Sequence, residues 1–219
     1  MERVLEPEAM EGAAEAAAYD AMDHREPNAA FVGRLGDLGV SGLMLDIGTG
    51  PGHIPLLICE RNASARVIGL DCSKAMLAIA VKHLERSRLR SRVSYLIGDA
   101  KRLPFADGAF DAVFSNTILH HLPEPADLLR EAWRVVKPGG AFLIRDLFRP
   151  KDAATVEALV EQHCVGATAH QRGLFRDSLH AALTPGELRA LVNAVGLTGA
   201  EVVIDTDRHM SLQKRAGRT

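Results

Sequence analysis

Cysteine is sparse in this chain of 219 residues. Cys59, Cys72 and Cys164 are odd in number, widely spaced and never in a Cys-x-x-Cys pair, which argues against a disulfide framework or a zinc ribbon. An excess of either charge is also missing: 26 basic side chains stand against 28 acidic ones, for a formal net charge of −2. With no Lys/Arg block, the chain lacks the electrostatic footprint of a nucleic-acid partner. No apolar run approaches the ~18 residues of a spanning helix, and Met1 to Glu6 carry neither a basic cap nor an apolar stretch. Neither a membrane partner nor a signal peptide is expected, and the protein reads as cytoplasmic. Internal repeats and low-complexity linkers are absent too, so one domain with appendages is the simplest organisation. What the chain does have is apolar content, 47% of its residues. At this length, folding buries roughly 70% of the surface of the unfolded chain, and no metal or disulfide is needed to stabilise it.

The first forty residues favour helix. Ala and Glu dominate from Glu8 through Ala18, Pro27 interrupts, and Asn28 is placed to cap a second helix to about Leu38. After Gly42, short apolar runs alternate with longer amphipathic ones, the pattern of a parallel sheet with crossover helices. The predicted strands are Leu43 to Ile47, Arg66 to Leu70, Val93 to Ile97, Phe110 to Ser115 and Ala141 to Arg145. Ser73 can cap a helix whose Met76, Ile79, Ala80 and Leu84 share a face, and Pro125 opens another with a stripe of Leu128, Leu129, Ala132 and Trp133. Lys137-Pro138-Gly139-Gly140 predicts a turn into the fifth strand. Residues 150–183 depart from the alternation, with a helical run Ala153 to Gln162 and a polar, His- and Arg-rich piece from His170 to His180. They read as an inserted cap. Thr184-Pro185-Gly186-Glu187 is a capping box, Gly196 a helix stop, and Ala200 to Ile204 and His209 to Gln213 a closing antiparallel pair. The expected divisions are therefore an N-terminal helical segment (1–41), a core (42–149), the cap (150–183) and a completing helix and strand pair (184–219).

Chemistry concentrates where strands end. Asp46-Ile47-Gly48-Thr49-Gly50-Pro51-Gly52-His53 is a glycine-rich strand-to-helix turn, in which backbone approaches a ligand closely and N–H groups point at it. The glycines at 48, 50 and 52 miss the dinucleotide spacing, whose third glycine falls where His53 stands. An acidic Asp46 two residues before the first glycine suits an ammonium better than a pyrophosphate. Asp71 ends the second strand 23 residues after Gly48, where a carboxylate accepts ribose hydroxyls; its competing role is a helix N-cap. Asp99 follows the third strand and is placed to accept from an exocyclic amine. The fourth strand delivers Ser115-Asn116-Thr117-Ile118-Leu119-His120-His121 to the same edge.

The stretch Leu43 to Leu147 resembles the class I S-adenosylmethionine-dependent methyltransferases, especially the branch with ubiquinone and menaquinone biosynthesis enzymes. The ordered blocks DIGTGPG, GLDCSKAML, GDAKRLPFADGAFDAVFSN, LHHL and VVKPGGAFLIRD carry the likeness. The resemblance implies a Rossmann-like α/β fold: a seven-stranded, mostly parallel sheet with its last strand reversed and helices on both faces. It implies S-adenosylmethionine as cofactor. Gly48, Thr49 and Gly50 would line the methionine part and Asp46 orient its ammonium. Asp71 would hold the ribose, and Cys72 and Met76 would pack near the adenine. Asp99 and the Ala100 N–H would read the adenine edge, and Asn116 would contribute its backbone carbonyl beneath the methionine moiety.

The chain also departs from the family's specialised patterns. Ser115-Asn116-Thr117-Ile118 is not the Asn/Asp-Pro-Pro-aromatic signature that grips a planar amine, and Arg145-Asp146-Leu147 lacks the Asp-Asn pair of magnesium-dependent catechol enzymes, so no metal is expected. The expected activity is methyl transfer to a small-molecule acceptor by in-line displacement. His121 and Asp146 are the candidate bases where the acceptor must lose a proton. Two other readings use the same fold: transfer from an adenosyl cofactor by aminopropyl or decarboxylated-cofactor chemistry, and a non-catalytic cofactor-binding subunit. A monomer or homodimer is expected.

Overall fold

Aliphatic runs too short for helices pair side by side, and the amphipathic segments between them cover the two faces of the resulting sheet. The computed structural model describes residues 1–6 and 12–217. The strands are β1 (Leu43–Ile47), β2 (Arg66–Asp71), β3 (Val93–Ile97), β4 (Phe110–Asn116), β5 (Val136–Leu147), β6 (Glu201–Ile204) and β7 (His209–Lys214). They form one sheet in the order β3-β2-β1-β4-β5-β7-β6. The first five run parallel, and β7 is antiparallel to both β5 and β6, so the reversed strand is where the sequence places it. The helices are α1 (Ala13–Asp20), α2 (Arg25–Asp37), α3 (His53–Arg61), α4 (Lys74–Arg86), α5 (Pro125–Val135), α6 (Ala153–His163), α7 (Ala169–Ala181) and α8 (Pro185–Val195), with a 3-10 turn at Leu119–His121. None of these helices is long and apolar enough to cross a membrane.

Side chains alternate across the strands, which gives the sheet a core on each face. On β4, Val113 packs with Leu128, Leu129 and Ala132 of α5 and Leu188 of α8. Its neighbours Ala112 and Phe114 face the other way, into Phe31 and Leu35 of α2 and Ile58 of α3. Truncating a fully buried ring such as Phe114 to Ala costs ~3–5 kcal/mol. The cap has a smaller core of its own, with Val156, Leu159 and Val160 of α6 against Leu179 of α7 and Leu147 of β5. Helix ends follow the expected chemistry. Met76 N donates to the Ser73 hydroxyl at 3.2 Å, Thr184 and Glu187 form the capping box, and Gly196 stops α8 at φ 77°.

Two expectations need correction. Pro27 does not interrupt a helix. It lies in the first turn of α2, where an N–H has no intrahelical partner to lose, and Asn28 is therefore inside the helix instead of capping it. Residues 137–140 are not a turn before the fifth strand but part of it. Val136 pairs with Phe110 and pairing resumes at Ala112 with Ala141, so Lys137 to Gly140 bulge opposite Asp111. The polar piece from His170 to His180 is the helix α7, opened by a Thr168–Gln171 capping box. Of the Ala/Glu run near the start, Glu8 to Glu11 lie outside the described residues, and α1 takes up the rest from Ala13.

Candidate cofactor and acceptor site

The sheet order reverses at β1, whose neighbours are β2 and β4, and the carboxyl ends of these strands frame the crevice where ligands bind in open α/β sheets. The loop after β1 is tied down by its own backbone: Gly48 and Thr49 N–H groups both donate to the Leu70 carbonyl, at 2.8 and 3.0 Å. Gly48 has φ 73°, and a Cβ there would stand 2.7 Å from Ile118 Cδ1, so only glycine fits. Gly50, at φ 54°, has nothing within 4 Å of a Cβ position, which leaves room for a ligand against the loop.

Two buried carboxylates flank that loop. Asp46, at the end of β1, accepts from the Thr49 hydroxyl at 2.8 Å. Burial pushes its carboxyl up to about 7; the Thr49 bond opposes the shift and the charge of Asp71 adds to it. Asp71, at the end of β2, accepts from Gly50 N at 2.7 Å and Ser73 N at 2.8 Å, and burial raises its carboxyl despite those bonds. The α4 cap is Ser73, so Asp71 instead ties the β1 loop to the lead-in of α4. Among the described residues, neither carboxylate pairs with a Lys or Arg. Tyr19 on α1 and His121 after β4 both feel the charge of Asp71, which brings α1 and the 3-10 turn to the same crevice.

Further along the edge, Asp99 stands two residues beyond β3. Its side chain is exposed and accepts from Lys101 N at 2.8 Å, while Ala100 is buried. Cys72 is exposed and Met76 buried at the start of α4. Asn116 ends β4 half-buried, and its carbonyl accepts from the Thr117 hydroxyl at 2.6 Å. Thr117 has φ 61°, the one left-handed non-glycine among the described residues. For a β-branched side chain this conformation costs of order 1–3 kcal/mol and marks a site under constraint. No sequence pattern announced it.

His121 and Asp146 are not brought together. Asp146 is fully buried on β5 and accepts from the neighbouring His120, at 2.6 Å from Nδ1 and 3.1 Å from the backbone N–H. Glu6 completes the arrangement, 3.1 Å from His120 Nε2 and 3.1 Å from His121 Nδ1. Burial alone would lower the His120 basicity, but the two carboxylates outweigh it and lift the imidazole to about 9. Asp146 and Glu6 are correspondingly held low against their own burial, chiefly by His120. Residues 3–6 reach this position because Val4 N donates to His180 O at 3.1 Å and Arg3 donates to Ala181 O and Leu122 O, at 2.6 and 2.9 Å. The sequence offers His120 only as half of a doubled histidine, and gives no sign of Arg3 or Glu6, which lie more than a hundred residues before the 3-10 turn they contact.

With this geometry in hand, likeness to known proteins is informative. A family model described as a methyltransferase domain matches residues 45–144. Demethylmenaquinone methyltransferase from Thermus thermophilus is 33% identical over 164 residues, covering 71% of this chain and 74% of that protein. The chain belongs to the class I S-adenosylmethionine-dependent methyltransferases. A second member of the family, methyltransferase GfsG of Streptomyces halstedii, is 34% identical over 136 residues, covering 61% of this chain and 48% of that one. The chain thus spans about half the length of some curated relatives it matches. Among solved structures, phosphoethanolamine N-methyltransferase 2 of Haemonchus contortus, in complex with phosphomonomethylethanolamine and S-adenosylhomocysteine, superposes with a TM-score of 0.63. Its identity is 24%, over 82% of this chain and 39% of that one, and the match supports the methyltransferase fold.

Proposed function

We propose that this class I methyltransferase transfers a methyl group from S-adenosylmethionine to a small-molecule acceptor in the cytoplasm. The observation that carries the reading is the pair of buried carboxylates, Asp46 and Asp71, neither paired with a Lys or Arg among the described residues, on either side of a loop whose Gly50 opens onto free space. A ligand with an ammonium at one end and ribose hydroxyls beyond it supplies what both carboxylates lack, so the residues present fit this cofactor. The bound complex of the Haemonchus contortus relative supports the same reading.

When bound, the cofactor supplies a methyl group on a sulfonium, an electrophile that needs no protein nucleophile. In our assignment Asp46 orients the ammonium, Gly48, Thr49 and Gly50 line the methionine portion, and Asp71 holds the ribose. Cys72 and Met76 pack at the adenine, Asp99 and the Ala100 N–H read its edge, and the Asn116 carbonyl lies beneath the methionine portion. The protein's main work is to hold the acceptor about 3–3.5 Å from the methyl carbon and in line with the bond that breaks. For a hydroxyl or carbon acid, we assign proton removal to His121, which is part-exposed and within electrostatic reach of Asp71. Asp146 then serves as a positioning residue that acts through His120. The cap and residues 1–6 are the segments we assign to the acceptor. The nearly balanced charge favours a small metabolite over nucleic acid.

The test is mass spectrometry of a cell extract incubated with the protein and methyl-labelled cofactor. Label is expected in a small molecule, with S-adenosylhomocysteine formed in step. Label confined to protein or RNA, or none transferred, would reject the assignment.

A further inference from the structure

We infer that Asp20, His53 and His83 form a binding site for a divalent transition ion of the zinc class, separate from the crevice described above. The three come from different elements: Asp20 ends α1, His53 begins α3 directly after the glycine-rich loop, and His83 lies in the last turn of α4. His53 Nε2 stands 2.9 Å from Asp20 Oδ1 and His83 Nε2 3.2 Å from Asp20 Oδ2. One ligand atom from each residue lies within 4.8 Å of the others. Donors of a tetrahedral zinc site, each about 2.0–2.1 Å from the ion, sit ~3.3 Å apart, near the two distances to Asp20.

The competing reading is that the histidines only pair with Asp20, and both contacts are imperfect as hydrogen bonds. Asp20 Oδ1 is buried and receives no well-aligned hydrogen bond, although His53 Nε2 is 2.9 Å away. A buried carboxylate oxygen without an aligned donor is under-satisfied, and a bound cation would supply what it lacks. The His83 contact of 3.2 Å is also long for a charge-assisted hydrogen bond, which is typically about 2.7–2.9 Å.

The ring of a third histidine, His24, lies beside His53, with centroids 5.9 Å apart. His24 itself is occupied: its Nε2 lies 2.8 Å from the Tyr19 carbonyl. Two imidazoles and one carboxylate suit borderline ions such as Zn²⁺ or Co²⁺ and leave a coordination position for water. Asp20 and His53 also line a cleft of about 720 Å³ with His24, Asn28 and Arg61, which provides an entry path. An ion here staples α1 to α3 and α4 and fixes the helix that carries Tyr19.

The test needs no cofactor, so its failure is distinct from failure of the methyltransferase reading. Zn²⁺ and Co²⁺ are titrated into the full chain after chelator treatment. One equivalent should bind, Co²⁺ should develop a visible absorption band unlike that of the aqueous ion, and the melting temperature should rise. His83→Gln and Asp20→Asn should each weaken binding at least about tenfold. Uptake well below one equivalent, or unchanged affinity in both variants, would overturn the site. Should a variant fail to fold, histidine acylation of the native protein decides. Zinc should protect His53 and His83 and leave His170 modified as before, and equal modification of all three with and without zinc would refute the proposal.

Discussion

The two ends of the crevice treat buried carboxylates in opposite ways. At the tips of β1 and β2, Asp46 and Asp71 lack a cationic partner among the described residues, and burial drives both carboxyls up. Beside the 3-10 turn, Asp146 and Glu6 enclose His120 and are held down. Unpaired buried charge is costly unless something compensates it, which is why we assign the first arrangement to a ligand and the second to internal structure. A buried carboxylate alone is therefore ambiguous; its partner decides whether it marks a site.

The contrast breaks most visibly at Asp146. Asp146→Ala strands a buried imidazolium and should cost about 3–5 kcal/mol in denaturant unfolding, with little change in cofactor affinity. The pH dependence has a definite sign. His120 is raised from 6.5 to about 9, so its contribution is complete below 6.5 and is lost as pH rises through about 9. Asp146 and Glu6 are depressed, and their contribution is lost in acid as pH falls through their lowered values.

Next in size, Asp71→Ala should weaken S-adenosylhomocysteine binding by about 10–100-fold, the loss of a hydrogen-bonded charged group, and lower the unfolding free energy far less than Asp146→Ala does. An equal loss of stability in both variants would erase the distinction between proposed ligand site and internal structure. A milder effect comes from Asp46, whose carboxyl is raised from 3.8 to about 7. It ionises more readily beside a ligand ammonium, so affinity should climb as pH rises through about 7, a dependence removed in Asp46→Asn and measurable by titration across pH. The smallest change is expected for Ser178→Ala. The Ser178 hydroxyl donates to Glu6 at 3.2 Å, and its removal should cost about 0.5–1.5 kcal/mol without touching cofactor binding.

The same two regions differ in how much the sequence discloses. The tips of β1 to β4 are local: a glycine turn, an acidic residue at a strand end and an Asn after the fourth strand can be read because each is specified by neighbours in the chain. The closing antiparallel pair follows from the short 205–208 connection, and the seven-stranded sheet with a reversed strand is what the family resemblance implies. The side we assign to the acceptor is assembled from residues 3–6, 119–121, 146 and 178–182, whose meeting depends on tertiary packing, so no spacing rule links Glu6 to His120. Asp146 and His121 are each named from the sequence as candidate bases, but the contact of Asp146 with His120 is not, because only the backbone of the 3-10 turn decides which ring points at β5. Pro27 and the bulge opposite Asp111 were misread for the converse reason: propensity flags a breaker without saying where in an element it is tolerated.

The central claim is that the edge bearing Asp46 and Asp71 is built for an adenosyl amino acid. Calorimetric titration of S-adenosylhomocysteine into the native chain and Asp71→Ala tests it most directly. Saturable one-site binding to the native protein, weakened at least about tenfold in a variant that still melts cooperatively, is the predicted result. Equal affinity for the two proteins, or no binding to the native chain, would contradict it.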